Sequence, residues 1–439
     1  MDELILHPLA YARRIRGMTR ADLAREICAA AERRGLRSGT DKSRVRKWET
    51  GVTPDKDSRT YIADVFKIPR KDALTRDWPH WLPGADERVI PLGPDSAVPA
   101  LREALRAAMD PLDRRNFLTF SGSALTALAT SWATSDTQPL AQAMNGGTVD
   151  EDLVTMLEET SPQLNRLATE QRQHAVILLD AHLSTVVNLI RHGRHTPVIA
   201  QRLHTMAASL SQTVAWNRFD QGLHTAAAKL WIAGLHSAHA NGDRDMGAAL
   251  LGDLAYQASW RGYPQTAAGI LERALTRTSH PTARSLLQLR LARAHAAQGD
   301  TRATHAAITV AEKSLAAASG RPVPAWCSWM SEADLAVDTG QCLLDLGETR
   351  RAHQLIREGQ NLLPPSRDKT RGVFLTYQAK SHLDLAEPEL AAAAALKSLE
   401  LAQRIGAPRC VQLVRDLIPR FEEHPGAQGI PELLERAAA

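Results

Sequence analysis

Residues 40–51 read TDKSRVRKWETG, and this stretch decides how the N-terminal part of the chain folds. Val45 and Trp48 stand three residues apart, so a helix places both on one face, which is directed toward a hydrophobic core. The other side chains of this helix point outward or flank the core, and they are polar or basic: Lys42, Ser43, Arg44, Arg46 and Lys47. An exposed helix this basic is suited to contact the phosphates and base edges of DNA.

Three further helices are predicted around this stretch. Thr19 is a suitable N-cap for one of them, with Asp22 three residues later as the capping-box acid, and Gly35 is a suitable C-cap for the same helix. A short amphipathic segment precedes it over His7–Arg16, and a closing helix follows the turn at Pro54. The apolar positions of the three helices predict their buried faces: Leu9, Ala12, Ile15, Ala21, Leu23, Ala24, Ile27, Tyr61, Ile62, Val65, Phe66 and Ile68.

This part of the chain resembles the Xre/Cro-type helix-turn-helix of phage-repressor-like proteins. The resemblance is carried by residues 19–24 (TRADLA), residues 43–51 (SRVRKWETG), Pro54 and the end of the closing helix at residues 66–68. The chain departs from the family at Arg20, where Gln is common, and in the segment Cys28–Gly39, which lengthens the connection to the recognition helix. The resemblance implies a helix-turn-helix DNA-binding domain over residues 1–77.

The same resemblance implies roles in DNA binding. Lys42, Ser43 and Lys47 match positions that face base edges. Phosphate contacts are implied for a second group, with a backbone N–H of Thr40 at the start of the helix as one donor: Arg20, Arg37, Thr40, Arg44 and Arg46. Glu49 is expected to brace the domain and Gly51 to end the helix.

The charge distribution agrees with DNA binding at this end of the chain. Residues 1–80 contain 18 Lys and Arg against 12 Asp and Glu, whereas the whole chain contains 53 against 49. All of the basic excess therefore lies in the N-terminal part. A basic cluster on a helix-turn-helix indicates nucleic-acid binding, although such a cluster taken alone is more often a solvated helix face.

Residues 78–150 are predicted to be a linker with one or two docking helices. Proline and glycine punctuate residues 78–99, and Ser96–Met109 has the pattern of a short amphipathic helix. Residues 113–129 resemble a twin-arginine export signal. This segment lies behind a DNA-binding domain and is too short and too polar to span a membrane, so a docking helix over 113–132 and a cytoplasmic protein are predicted.

From about residue 151 the pattern predicts one helix after another. Short breaks containing a small residue separate the apolar runs, at Gly193, Gly242, Gly262, Gly299, Gly347 and Ala386. The intervals 262→299 and 347→386 are 37 and 39 residues, and 299→347 is 48. A helix, a glycine turn and a second helix repeating at about 34–47 residues are typical of helical-hairpin solenoids.

The glycine turns and alanine positions resemble the tetratricopeptide repeat in degenerate form. The predicted fold class is therefore all-α, with the helix-turn-helix domain followed by a tetratricopeptide-like α-solenoid over residues 151–439. A related α-solenoid and an unrelated all-α bundle stay open as alternatives, because alanine-rich helices imitate one another.

This combination of domains is similar to peptide-sensing bacterial regulators and to long actinobacterial regulators. The resemblance implies a homodimeric transcription regulator that binds an operator in double-stranded DNA and responds to a small signal, a peptide or small molecule, in the solenoid groove. Six residues are candidates for ligand binding: Asn188, Arg191, Trp216, Asn217, Trp231 and Trp260. The alternative is that the aromatic side chains fill helix interfaces and Asn188 faces water.

Other classes of function find little support in the sequence. No carboxylate or cysteine joins the histidine pairs at metal-ligand spacing, and His236 and His239 are as easily helix-surface residues. The four cysteines have no metal or redox spacing and fit reduced thiols. Neither an enzyme nor a cofactor is predicted, because phosphate-loop, dinucleotide and nucleophile-elbow patterns are missing. A protein-interaction scaffold, in which the solenoid binds a partner protein and DNA binding is secondary, is the alternative function.

Overall fold

The computed structural model describes residues 8–15, 18–50, 52–66, 96–109, 151–165, 172–318 and 322–438, together with single positions between these ranges. Across the described residues the chain forms helices joined by turns and loops, which confirms the all-α fold class. It divides into two compact units, an N-terminal unit (residues 1–91 and 115–127) and a repeat unit (residues 92–114 and 128–439).

The longer described ranges of the N-terminal unit form α1 (Pro8–Ile15), α2 (Arg20–Glu32), α3 (Lys42–Glu49) and α4 (Lys56–Phe66). The predicted capping box opens α2: the N–H of Asp22 donates to Oγ1 of Thr19 over 3.1 Å, and the N–H of Thr19 donates to Oδ2 of Asp22 over 2.8 Å. These bonds from Thr19 lower the pKa of Asp22 to about 2. The chain leaves α2 at Gly35, whose φ of 71° favours glycine.

The hydrophobic core of this unit joins all four helices, through Leu9, Leu23, Ile27, Val45, Trp48, Tyr61, Ile62 and Phe66 among others. Trp81 and Leu82 belong to the same core, with exposed fractions of 5% and 1%. The sequence analysis assigned both to the linker, so the packed part of this unit extends beyond residue 77. Proline and glycine mark breaks in helices, but they do not reveal whether the apolar residues between them are buried.

The repeat unit begins with α5 (Ala97–Met109), α6 (Glu151–Asn165) and α7 (Arg172–His192). Five helical hairpins follow, and in each hairpin two consecutive helices pack against each other. They are α8–α9 (Pro197–Asp220, His224–Ala240), α10–α11 (Arg244–Trp260, Pro264–Leu275), α12–α13 (Pro281–Ala296, Thr301–Ala316), α14–α15 (Glu332–Asp345, Thr349–Leu362) and α16–α17 (Asp368–Asp384, Pro388–Arg404). The chain ends with α18 (Pro408–Arg415), α19 (Ile418–Phe421) and α20 (Ile430–Ala438).

The tight turn inside each hairpin has one residue with positive φ: Gly222 (77°), Gly262 (80°), Gly299 (74°), Gly347 (82°) and Ala386 (59°). In each turn the next backbone N–H bonds a carbonyl five residues earlier, as Asp300 does to His295 over 3.1 Å. This closure satisfies carbonyls at the helix end, and it explains the recurring glycines. The turns confirm the predicted hairpins, and Gly222 adds a hairpin that the sequence analysis did not identify. The 48-residue interval contains a longer loop with a 3₁₀ turn over Ala325–Cys327.

Two of the predicted breaks, at Gly242 and Gly193, do not lie in a turn inside a hairpin. Gly242 also has positive φ, but it joins one hairpin to the next, between α9 and α10. Gly193, at the end of α7, is held by crowding: a Cβ there would lie 2.3 Å from Cγ2 of Val149 and 2.7 Å from the carbonyl oxygen of Leu189.

The predicted docking helix at residues 96–109 is α5, which packs against α9. Oγ of Ser96 and Nδ1 of His236 are hydrogen-bonded over 2.6 Å, and Nζ of Lys229 lies 3.1 Å from Oε1 of Glu103. His236 and His239 are buried in the repeat unit, which corrects the interpretation that they are surface residues. The second predicted docking helix, 113–132, lies outside the described residues except for Ala129 and Trp132, which are helical and buried. Within the described ranges, each helix is too short or too polar to cross a membrane.

Candidate functional site

Helix α3 presents one uninterrupted polar and basic surface. Asp41 caps its N-terminus, because Oδ1 accepts a hydrogen bond from the N–H of Arg44 over 2.7 Å. Val45 and Trp48 are buried, with exposed fractions of 0% and 3%, and hold the opposite face in the core. The side chains of the outer face are all exposed: Lys42, Ser43, Arg44, Arg46 and Lys47.

A buried ion-pair network fixes the end of α3 to the rest of the unit. Glu49 is buried, and its two carboxylate oxygens accept from different arginines: Nε of Arg13 at 2.7 Å and Nε of Arg20 at 2.5 Å. Arg13 also donates to the carbonyl oxygen of Met18 over 2.7 Å. Glu49 therefore links α1 and the start of α2 to the exposed helix, which agrees with the bracing role expected for it.

Three residues with implied phosphate contacts have partners within the protein. Arg20 lies against Glu49, although its side chain stays 40% exposed. Thr40 is buried, and its hydroxyl is 2.8 Å from that of Ser38. Nη2 of Arg44 lies 3.3 Å from Oδ2 of the exposed Asp55. Burial of Thr40 and the carboxylate of Asp41 at the helix start disfavour a phosphate there, because this carboxylate repels an anion and already accepts the N–H of Arg44. Arg37 and Arg46 are exposed.

A second candidate site lies inside the repeat unit, where the first helices of successive hairpins meet. A cavity of about 160 Å³ is bounded by α10 and α12 and by the ends of neighbouring helices. Its wall contains two aromatic and two basic side chains, Tyr256, Trp260, Arg290 and Arg293, together with Ala255, Ser259, Leu271, Ala297 and Asp345.

Arg290 and Arg293 stand one turn apart on α12, and each has an acidic partner. Nη1 of Arg290 is 2.8 Å from Oδ1 of Asp253, and both side chains are less than 10% exposed. Asp253 also accepts from the indole N–H of Trp216 over 3.0 Å. Nη1 of Arg293 is 3.1 Å from Oδ1 of Asp338. Burial raises the pKa of the Asp338 carboxyl, against the lowering effect of Arg293.

Arg409 on α18 lies in an aromatic cage next to this cavity. Its Cζ is 5.3 Å from the ring centre of Phe219, 5.4 Å from that of Trp260 and 5.9 Å from that of Tyr256. Its Nε lies 3.0 Å from Oδ1 of Asp220, which also pairs with Lys369. Cation–π contacts of a desolvated guanidinium stabilise such an arrangement. Asp220 thus connects the first hairpin of the repeat unit with its last helices.

The six residues predicted to bind a ligand are not one site. Trp260 lines the cavity. Trp216 does not line it, but its indole N–H donates to Asp253, the ion-pair partner of Arg290. Trp231 is completely buried and packs edge-to-face on Trp216, with ring centres 5.5 Å apart, as the alternative of aromatic side chains at helix interfaces describes. The remaining three do not line the cavity: Asn188, Arg191 and Asn217.

Four residues of this region were not predicted from the sequence, namely Arg290, Arg293, Arg409 and Tyr256. One signal was available, since Arg290 and Arg293 interrupt the apolar sequence LLQLRLARA on α12 at helical spacing. Charged residues in an otherwise apolar helix need partners, and they indicate a buried polar cluster.

Comparisons with known proteins give limited matches. The family model described as the SP15 N-terminal domain matches residues 9–73, the part of the chain that contains α1 to α4. No curated protein sequence matches the chain. A chain of a solved structure titled "Crystal structure of APC/C hetero-tetramer Cut9-Hcn1" is similar, at 13% identity and a TM-score of 0.28, over 98% of this chain and 89% of that one. A TM-score this low does not establish a shared fold.

Proposed function

We propose that the protein is a sequence-specific DNA-binding transcription regulator. In this proposal the N-terminal unit is an Xre/Cro-type helix-turn-helix domain whose α3 enters the major groove. The tetratricopeptide-like repeat unit takes up a small signal and mediates dimerisation. The observation that carries the proposal is the surface of α3, where five consecutive outward side chains are polar or basic while Val45 and Trp48 anchor the helix.

The exposed side chains divide by chemistry and position. Lys42, Ser43 and Lys47 are proposed to contact base edges, which determine sequence preference. Arg37, Arg44 and Arg46 are proposed to contact phosphates, which contribute affinity on any sequence. Arg20 and Thr40 have partners within the protein, and internal roles are proposed for them. Arg20 acts mainly by orienting Glu49, and Thr40 has a structural role.

Dimerisation belongs to the proposal because one small helix-turn-helix domain binds weakly. Two such domains on a pseudo-palindromic site act as one binder, and the spacing of the half-sites then follows from the dimer. Sedimentation of the full chain, with and without duplex DNA, measures this directly. A monomer in both conditions contradicts this part of the proposal.

The division of roles within α3 predicts different effects for two substitutions. A preferred site is first selected from a random duplex pool with the full chain. Lys47→Ala is expected to lower affinity for that site by about tenfold and for random duplex much less, because it removes a base contact. Arg46→Ala is expected to lower both affinities similarly and to reduce the salt slope by about one, because it removes a phosphate contact. Equal losses for both variants on both duplexes show that these roles are misassigned.

The alternative function, a scaffold that grips a partner protein, is favoured by one feature of the repeat unit. Ile177, Leu178 and Val198 are 74%, 56% and 64% exposed, and large exposed apolar side chains often mark protein contacts when they cluster. A gel shift with the selected duplex separates the two functions. Release of DNA by a low-mass fraction of cell extract supports signal sensing, whereas release by a protein fraction alone supports the scaffold.

A further inference from the structure

The cavity between α10 and α12 has the chemistry of an anion-binding site. A guanidinium group carries five N–H donors. The ion pairs of Arg290 and Arg293 with Asp253 and Asp338 each involve one nitrogen, Nη1. Both arginines line the cavity, and although Arg293 also hydrogen-bonds Tyr377, a guanidinium group has further N–H donors with which to hold a carboxylate.

The balance of charge around the cavity favours a single negative charge. The charged residues that line the cavity are two basic side chains and one acid, namely Arg290, Arg293 and Asp345. The excess of one positive charge is neutralised by a monoanion. Asp345, the acid at the cavity wall, is itself paired with Nζ of Lys380 at 2.6 Å, which reduces its repulsion of a bound anion.

The volume of the cavity and its aromatic lining residues indicate the uncharged part of the ligand. Tyr256 and Trp260 stand one turn apart on α10 and line the cavity together with Leu271 and Ala255. Aromatic rings stack on planar groups and bury apolar area. The volume of about 160 Å³ is close to that of an engineered cavity of ~150 Å³ that binds benzene. The space therefore suits one ring and a small substituent.

We propose that this cavity binds a small monoanion with a planar ring, its carboxylate between Arg290 and Arg293 and its ring against Tyr256 and Trp260. The inference rests on the sensing half of the proposed function, for which it supplies the class of signal. It predicts a small metabolite here in place of a peptide chain, because the volume does not accommodate several residues.

The test uses benzoate as the probe and the full chain as the protein. Isothermal titration is expected to show saturable binding of one benzoate per chain. Benzamide has the same shape without the charge, and it is expected to bind at least about tenfold more weakly, because the charge-assisted hydrogen bonds to the arginines are lost. No saturable benzoate binding, or equal binding of benzamide, overturns the proposal.

Two matched substitutions locate the bound probe. Ala297 is exposed, lines the cavity and is the C-cap residue of α12, so Ala297→Phe is expected to fill the space without removing an ion pair and to abolish binding. Ala317 is the exposed C-cap residue of α13 with a similar backbone conformation, and Ala317→Phe is expected to leave binding unchanged. Circular dichroism establishes that both variants fold. Binding that survives Ala297→Phe shows that benzoate binds elsewhere and overturns the assignment.

The DNA experiments and the benzoate experiments fail independently. A chain that binds benzoate in this cavity but does not bind duplex DNA contradicts the proposed regulator and leaves the anion site standing. A chain that binds duplex DNA through α3 but ignores benzoate contradicts only the anion site.

Discussion

Glu49 holds a carboxylate that is 3% exposed and that two arginines share, one from α1 and one from the start of α2. Arg13 is the more deeply buried of the two arginines, with a side chain that is 8% exposed. A buried charge is stable only while it is paired and hydrogen-bonded. The position of the exposed α3 surface therefore depends on an acid that does not touch DNA in the proposal.

Removal of this acid is expected to destabilise the N-terminal unit strongly. Glu49→Ala leaves Arg13 buried without its charge partner, and the expected loss is about 3–5 kcal/mol in the free energy of unfolding of that unit. Hydrogen exchange of the backbone amides of α2 and α3, followed as a function of urea concentration, measures the change in this unit. Glu26→Ala, at an exposed position on α2, serves as the control and is expected to change stability by less than about 0.5 kcal/mol. Equal effects of the two substitutions contradict the bracing role.

His204 shows how burial shapes the pH response of the repeat unit. The residue is 3% exposed on α8, and burial is the main reason that its pKa is lowered to about 4 from 6.5. The unfolded chain therefore binds a proton near pH 6.5 that the folded chain takes up only near pH 4. Its contribution to stability is complete above pH 6.5 and is lost as the pH falls from 6.5 toward 4.

Because folding lowers the pKa of His204, the repeat unit is expected to be less stable at pH 5 than at pH 7. His204 alone is expected to account for about 2 kcal/mol of the difference, since one pKa unit corresponds to ~1.4 kcal/mol. His204→Phe keeps a ring and removes the titration, so the difference between unfolding midpoints at the two pH values should shrink. His192→Phe, at an exposed position, should leave that difference as in the wild type. An unchanged pH dependence in His204→Phe contradicts the assignment.

At the scale of the element, the hairpin turns share one backbone geometry but not one residue. Four have glycine at the left-handed position, and the fifth has Ala386 with φ 59°. A Cβ in this region costs roughly 1 kcal/mol because it crowds the neighbouring carbonyl. Gly347 has no atom within 4 Å of the place where its Cβ would stand, so only the backbone conformation distinguishes the two positions.

Reciprocal substitutions at these turns are expected to have opposite effects. Ala386→Gly should stabilise the repeat unit by about 0.5–1 kcal/mol, because relief of the strained φ outweighs the entropy of glycine in the unfolded chain. Gly347→Ala should destabilise it by about 1 kcal/mol. Urea midpoints of the two variants and the wild type provide the comparison. Destabilisation by Ala386→Gly contradicts the account of the turn.

The sequence allowed much of the fold to be predicted, because helices carry local signals. The capping box at Thr19, the end of α2 at Gly35 and four of the five hairpin turns were identified from residues close in the chain. Gly222 lies 40 residues before Gly262, fits the same period and is followed by Ala226, Ala227 and Ala228, so the same local pattern could have predicted this turn. Trp81 was missed because tertiary packing, not periodicity, places it in a core.

The inner cavity could not be predicted in the same way. Its residues are distributed over α10, α12 and the end of α14, and the cage beside it joins Phe219 to Arg409. Periodicity indicates which residues share a face of one helix, but it does not indicate which faces of distant helices meet. Trp231 lies within α9 and Trp260 is the last residue of α10, and the packing of the hairpins makes the first a buried core residue and the second part of the cavity wall.

At the scale of the whole molecule, the two units differ in where their charged side chains lie. The basic excess of the chain lies within residues 1–80, and the repeat unit pairs its buried charges internally. Asp220 contacts Lys369 and Arg409, so the first and last hairpins of the repeat unit are connected. The proposed DNA contacts and the proposed signal site therefore use different sets of arginines, and each set can be removed without the other.

The salt dependence of DNA binding tests the central claim most directly. The affinity of the full chain for a random-sequence duplex is measured from about 50 to 200 mM salt, a range in which phosphate contacts dominate. The variant Arg37→Ala/Arg44→Ala/Arg46→Ala is compared with Arg302→Ala/Lys313→Ala/Arg350→Ala, which removes three exposed charges from the repeat unit. The account predicts that the first variant binds at least about tenfold more weakly with a slope of log affinity flatter by about three, and that the second binds like the wild type. Equal slopes for the two variants, or no binding by the wild-type chain, would contradict it.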